Sequence, residues 1–384
     1  MKRLLEILLS NLFYLFFCAQ ILSPQVGTVT IYLENVIALA NPFFLSWVAK
    51  RCTNQHLWML FLAIGLCVVM CDYVLIPKVI VFAISIAYIV YSRERQLFYL
   101  FRYVGLSTLF AIAQFALLFV DPSLAVAIGP TNIAETVWGN YATGTFTNYY
   151  AVFALVRVGG LSREGGFFAT LILNCILIYI IDRRERGYKS ITVQVILFIG
   201  FVLSLSKMSL VLIPAWLVIK YRRWFDRIPF AVVPVLFSVP LMILVANSFE
   251  FLTEAENGTY LQRFGGFGVL FDLDVKQLLF GVEHLNEIPA PLAKAALSSP
   301  YDHMDYFAGF AGYILAHGLL GTCVTLCVLW LLGISPAGLL LLLLLTVNLD
   351  ITTNQNFVTL TYFIIFTRLS LPAPAWPGVR LARA

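Results

Sequence analysis

The chain has 384 residues, 61% of them hydrophobic and only 12% charged, with a mean hydropathy of +0.89. Soluble globular proteins carry about 25% charged residues, so the composition excludes a water-exposed globular fold. The net charge of +5 is no argument for nucleic acid, because the cations gather at the ends of apolar runs.

A bilayer-crossing helix needs about 20 apolar residues. Runs of that kind fall at 4–22, 26–48, 56–72, 76–92, 97–120, 166–181, 190–206, 208–220, 228–247, 306–332, 335–349 and 356–370. Met1-Lys2-Arg3 leads into the first run without a small-residue cleavage site, so that run is expected to stay as a helix. The run at 208–220 is too short to cross alone; either it extends past Lys207 or the segment before it dips and returns. The expectation is an all-α polytopic membrane protein of about twelve transmembrane helices, a single domain over 1–384, with both termini cytoplasmic and a flexible tail over 371–384.

Charge fixes the orientation. Of the 25 Lys and Arg, 18 fall on one side, in short connections that the positive-inside rule makes cytoplasmic. The seven on the other side are Lys78, Arg157, Arg163, Lys207, Arg263, Lys276 and Lys294. Most acids join them in two long outward segments, about 121–165 and 248–305. Loops of such length are usually functional or disordered; richness in Gly, Tyr, Phe and Asn favours order. The inward connections leave no room for an ATP-binding domain, so any chemistry is expected outside. The seven cysteines fall in the spans or beside Lys50-Arg51, and read as apolar packing rather than metal ligands or disulfides.

Four outward constellations carry chemistry. In Arg157-Val-Gly-Gly-Leu-Ser-Arg163-Glu164-Gly-Gly166, four glycines let the backbone bend round a ligand and offer N–H groups to an anion, while two guanidiniums match phosphate oxygens. The bland alternative is a turn with interfacial arginines. In Ser204-Leu-Ser-Lys207, a cation flanked by hydroxyls lies between two apolar runs, where ionisable groups are costly; the alternative is a snorkelling lysine. Arg263-Phe-Gly-Gly-Phe-Gly268 precedes Phe280-Gly281-Val-Glu283-His284. Its glycines lack the βαβ setting of a nucleotide motif, and Arg263 reads as an anion ligand. Glu283 and His284 read as catalytic or as loop surface. In Asp302-His303-Met-Asp305-Tyr306, His303 and Asp305 open the run at 306–332; a neutral imidazole there can take a proton from a sugar hydroxyl, whereas either Asp can simply cap the helix. Glu34, an acid within an apolar run, suits a partner for Lys78 or Lys207, or a proton carrier.

The order of these features resembles the bacterial O-antigen polymerase and O-antigen ligase superfamily of C-type glycosyltransferases, over roughly residues 120–370. Arg157, Gly160, Leu161 and Glu164 match its Arg-x-x-Gly-Leu-x-x-Glu element. Ser206-Lys207 is similar to its Ser-Arg pair, with Lys in place of Arg. Arg263 and Phe280-Gly281 stand where a loop Arg and a Phe-Gly-x-Gly occur, with Glu283 replacing the second Gly. His303 and Asp305-Tyr306 are similar to the element opening the next helix, with Met304 where Asn is common. The resemblance implies a multi-pass enzyme of the bacterial inner membrane whose active site faces the periplasm. Such an enzyme polymerises undecaprenyl-diphosphate-linked oligosaccharide repeat units into a surface polysaccharide such as O-antigen. It further implies an inverting, metal-independent reaction with no cofactor, and a chain-length regulator and a flippase as pathway partners. On that reading Arg157, Arg163, Lys207 and Arg263 hold the diphosphate. His303 is the first choice of base, with Asp305, Asp302 and Glu283 behind it, and Glu164 and His284 are further candidates. Trp138, Asn140, Tyr141, Tyr149, Tyr150 and Tyr260 suit sugar faces and hydroxyls. The rivals are a ligase moving finished glycan to another acceptor, and a transporter or flippase, for which the expected pair of repeated halves is not seen.

Overall fold

A computed structural model of the chain describes residues 2–27, 29–70, 73, 75–147, 149, 151–152, 155–187, 189–204, 209–254, 258–282, 284–288, 291–297 and 307–347. Among these the fold is helical throughout, apart from two minimal antiparallel hairpins, Gln25–Val26 with Val29–Thr30 and Ala151–Val152 with Leu155–Val156. The helices are α1 (Lys2–Cys18), α2 (Leu33–Leu39), α3 (Pro42–Arg51), α4 (Asn54–Val69), α5 (Leu75–Val120), α6 (Pro122–Ala127), α7 (Pro130–Trp138), α8 (Gly165–Arg186) and α9 (Ile191–Leu203). The second half adds α10 (Ser209–Lys220), α11 (Arg222–Phe225), α12 (Val232–Asn247), α13 (Phe249–Thr253), α14 (Gly258–Val269), α15 (Val275–Phe280), α16 (Pro291–Leu297), α17 (Gly309–Leu331) and α18 (Pro336–Thr346).

Among the described residues, three stretches are long and apolar enough to cross a membrane: Tyr99–Val120 within α5, Gly165–Arg184 within α8, and Gly309–Leu331. The sharply bent pair α3 and α4 makes a fourth if taken as one broken span. That is well short of twelve, and local chemistry explains the difference. The run at 26–48 is interrupted by the hairpin turn at Gly27 (φ +61°) and again at Asn41. There the Asn41 side chain accepts the N–H groups of Phe43 and Phe44, and Pro42 opens α3. The expected reversal near residues 93–96 is absent: α5 runs unbroken for 46 residues, about 69 Å at 1.5 Å per residue. The runs at 4–22, 190–206, 208–220, 228–247 and 335–349 contain apolar helices of only 10–17 residues. The run at 356–370 lies outside the described residues.

Two apolar cores organise the chain. The first joins α1, α2, α3, α5, α8, α9 and α10 around Phe13, Tyr88, Phe168 and Ile172. The second joins α12 to α17 around Phe237, Phe267, Leu292 and Phe307. α18 belongs to both, giving Ala337, Leu341 and Leu345 to the first and Leu339, Leu342 and Leu343 to the second. Its start is fixed twice: Ser335 Oγ accepts the Gly338 N–H, and Asp226 Oδ1 accepts the Ala337 N–H at 3.1 Å.

Candidate functional site

The site begins where the first core ends, at the start of α8. Some 78% of an 18-residue window of that span is buried, so α8 is held as a rigid post and positions whatever stands at its ends. The turn leading into it is locked by side chains from α5. Gly160, at φ +55°, donates its N–H to Gln114 Oε1 at 2.9 Å and accepts from Gln114 Nε2 at 3.1 Å. The Leu161 N–H goes to Ser107 Oγ at 3.1 Å. A Cβ on Gly160 would meet Ser107 Oγ at 2.9 Å, so glycine is required there both for conformation and for space. Of the four glycine amides expected to offer themselves to an anion, that of Gly160 is taken by a buried side chain. Gln114 and Ser107 are fully buried. The sequence signal for both was a polar residue inside an otherwise apolar run.

The remaining glycines serve the charged groups. The Arg157 side chain lies along the start of α8; a Cβ on Gly165 would meet its Cδ and Nε at 3.2 Å. Glu164, the residue before the first turn, folds back so that its Oε1 would meet a Cβ on Gly166 at 2.9 Å. The Val158 N–H donates to the Leu203 carbonyl at 3.2 Å, tying this segment to the end of α9.

Arg263 arrives from the second core. Its motif is helical, not a ligand-wrapping loop. In α14, Gly265 and Gly266 lie against Phe307, and Gly268 lies against Leu292 and Val245, at distances that leave no room for a Cβ. The Ala308 N–H bonds the Gln262 carbonyl at 2.8 Å, which sets α14 against the chain entering α17. Burial first and the Arg157 cation second push the Arg263 guanidinium down to about 10, with Glu164 and Tyr260 acting in the opposite direction. Arg157 and Glu164, from the first core, therefore act electrostatically on Arg263, from the second.

Arg163 is engaged elsewhere. Its Nη2 donates to Thr30 Oγ1 at 3.0 Å, and its guanidinium stands 6.0 Å from the ring centres of both Tyr32 and Phe167. It ties the first hairpin to α8. His284 is exposed in a turn, where its backbone N–H donates to Glu287 Oε1 at 3.2 Å. Nearby, Gly281 (φ +87°) sits against a break in α17 at Gly318 (φ +65°), and the Val282 N–H bonds the Leu315 carbonyl at 2.7 Å. Lys207, Glu283, Asp302, His303 and Asp305 lie outside the described residues; Ser204, at the end of α9, is the last described residue before Lys207. Glu34 is buried in α2.

Comparisons with protein-family models, with curated proteins and with solved structures give no match.

Proposed function

We propose that this protein is a membrane glycosyltransferase that polymerises lipid-linked oligosaccharide repeat units at the outer face of the bacterial inner membrane. The observation that carries the reading is the pairing of Arg157 and Arg263 over Glu164 at the start of α8. Two like charges held half-buried and close enough to act on each other carry an electrostatic cost. Binding an anion offsets that cost, and guanidiniums are suited to phosphate oxygens. A diphosphate on a polyprenyl carrier supplies such an anion at the depth where α8 begins.

In the proposed reaction the acceptor hydroxyl oxygen attacks the anomeric carbon of the donor repeat unit. The bond to the diphosphate oxygen breaks, its electron pair passes to the diphosphate, and the hydroxyl proton goes to a base. Fixed cations stabilise the departing charge, with Arg157 and Arg263 in that role and Lys207 as a further candidate. His303 is assigned as the base, with Asp305, Asp302 and Glu283 as the other candidates. Arg163 shapes the site by holding the Thr30 hairpin.

The test is incubation of purified protein with a lipid-linked repeat unit in liposomes. A ladder of lengthening lipid-linked glycans supports the polymerase. Transfer to a lipid A core acceptor instead identifies a ligase, and transbilayer movement without turnover identifies a transporter. Arg157→Ala and Arg263→Ala should each abolish the ladder at unchanged protein level; full-length ladders from both would overturn the diphosphate assignment.

A further inference from the structure

The opposite end of α8 carries a second cation-lined site. Arg184, Lys220, Tyr221, Arg223, Trp224 and Arg227 enclose an open pocket of about 230 Å³ where the end of α8 meets the turn between α10 and α11. Four of the six are cations and two are aromatic; among the described side chains no acid lines it. The neighbouring acid, Asp226, uses Oδ1 to accept the Ala337 N–H of α18.

The pocket is built rather than merely charged. Arg184 Nη1 donates to the carbonyls of Ile219 and, at 2.8 Å, Lys220, the last residues of α10. Its guanidinium is thereby held in place. The Lys220 ammonium stands 4.6 Å from the Trp216 ring centre and 5.2 Å from that of Tyr221. Trp224 and Tyr221 remain 61% and 50% exposed, as aromatic anchors at a membrane–water boundary would be. From Gly165 to Arg184 the helix spans 20 residues, about 30 Å, which matches the hydrocarbon thickness of a bilayer. The pocket therefore stands one membrane thickness from Arg157, at the level of the opposite headgroups.

We propose that this pocket binds the phosphate headgroup of an anionic phospholipid in the leaflet opposite the Arg157–Arg263 site. The inference does not depend on the glycosyltransferase reading. Insertion bias accounts for cations on this face, but not for four of them converging with two exposed aromatics on one cavity. Phosphate is the anion that several converging guanidiniums match best. The exposed aromatics and the apolar face of α10 favour a lipid over a soluble phosphate.

The test uses full-length protein in detergent, with phosphatidylglycerol, phosphatidylcholine and inorganic phosphate as probes and native mass spectrometry as the readout. Wild type should retain phosphatidylglycerol in preference to phosphatidylcholine, and inorganic phosphate should not displace it. R223Q/R227Q removes two exposed cations and should weaken retention by about twentyfold, taking roughly fivefold per basic residue. K50Q/R51Q removes the same charge from exposed positions at the end of α3 and should leave retention within about twofold of wild type. Equal weakening by both pairs would reduce the effect to bulk charge and overturn the proposal. So would indifference to the lipid headgroup, or displacement of the lipid by free phosphate. Unchanged size-exclusion elution of each variant controls for folding.

Discussion

Arg263 is the side chain whose environment departs furthest from water among the charged groups of the site. Burial first and the Arg157 charge second bring it down to about 10, so at neutral pH it is still protonated. A cation whose affinity for its proton is lowered holds an anion only below that shifted value. Diphosphate binding to the purified protein should therefore be level through neutral pH and fall as pH rises through about 10. Arg157→Gln removes the like charge and should move the fall to higher pH, although it weakens binding overall; isothermal titration across the alkaline range reads both. Truncating Arg263 to Ala should cost about tenfold or more in diphosphate affinity, the worth of a charged hydrogen bond of about 1.5–3 kcal/mol. Gln114 presents the reverse case, a neutral residue with a structural task. Gln114→Ala leaves the Gly160 N–H and carbonyl and the Ile128 carbonyl without their side-chain partner. It should destabilise the protein by about 3 kcal/mol in a chemical unfolding assay. The two kinds of residue differ in how plainly a sequence announces them. Arg157, Glu164 and Arg263 stand out because charges are rare in an apolar chain. Gln114 does not, because one amide in a long helical run has no pattern that names its partner.

At the scale of elements, glycine carries most of the ambiguity. The runs at 157–166 and 263–268 look alike as strings, yet one is a turn locked by α5 and the other is a helix pressed against Phe307. A residue without a side chain suits a sharp turn and a close helix contact equally well, and only the partner decides. The break in α17 is of the same nature. A Cβ on Gly318 would run into the Leu279 carbonyl, and one on Gly281 would lie 2.6 Å from the Ala316 carbonyl. Gly318→Ala should consequently expel the 279–282 segment and lower the thermal unfolding midpoint, whereas Gly139→Ala, at φ +55° but with open space around it, should cost only the backbone strain of about 1–3 kcal/mol. Hydropathy located most of the apolar runs but not how they are joined, because a window average passes over a cap such as Asn41-Pro42 and over a short charged stretch such as 93–96. The continuity of α5 is open to direct measurement. Spin labels at the exposed positions Ile80 and Leu109, in a background lacking exposed native cysteines, should lie about 44 Å apart along one helix. A hairpin would bring the two halves to within helix-packing distance, about 10 Å between axes.

At the scale of the whole molecule, the two cores are separate bodies of apolar side chains that share α18. The first supplies Arg157 and Glu164, the second supplies Arg263, and the proposed anion site needs both. Saturating diphosphate should therefore stabilise the assembly as a unit, by about 2.7 kcal/mol at a ligand concentration a hundredfold above Kd. Scanning calorimetry of Arg157→Ala should show no such gain. The composition made the membrane environment legible. The joining of the cores was not, since α18 reads as a uniform leucine run, Leu339 to Leu345, whose alternating allegiance only its two sets of neighbours disclose.

The shared helix fastens the bodies permanently at one place, and the paired guanidiniums meet at another. On the proposed reading, the two positive heads push against each other once the negative group departs. The vacant molecule would then carry its own spring, one that loosens the second fastening after each release and is compressed again by the next carrier to arrive.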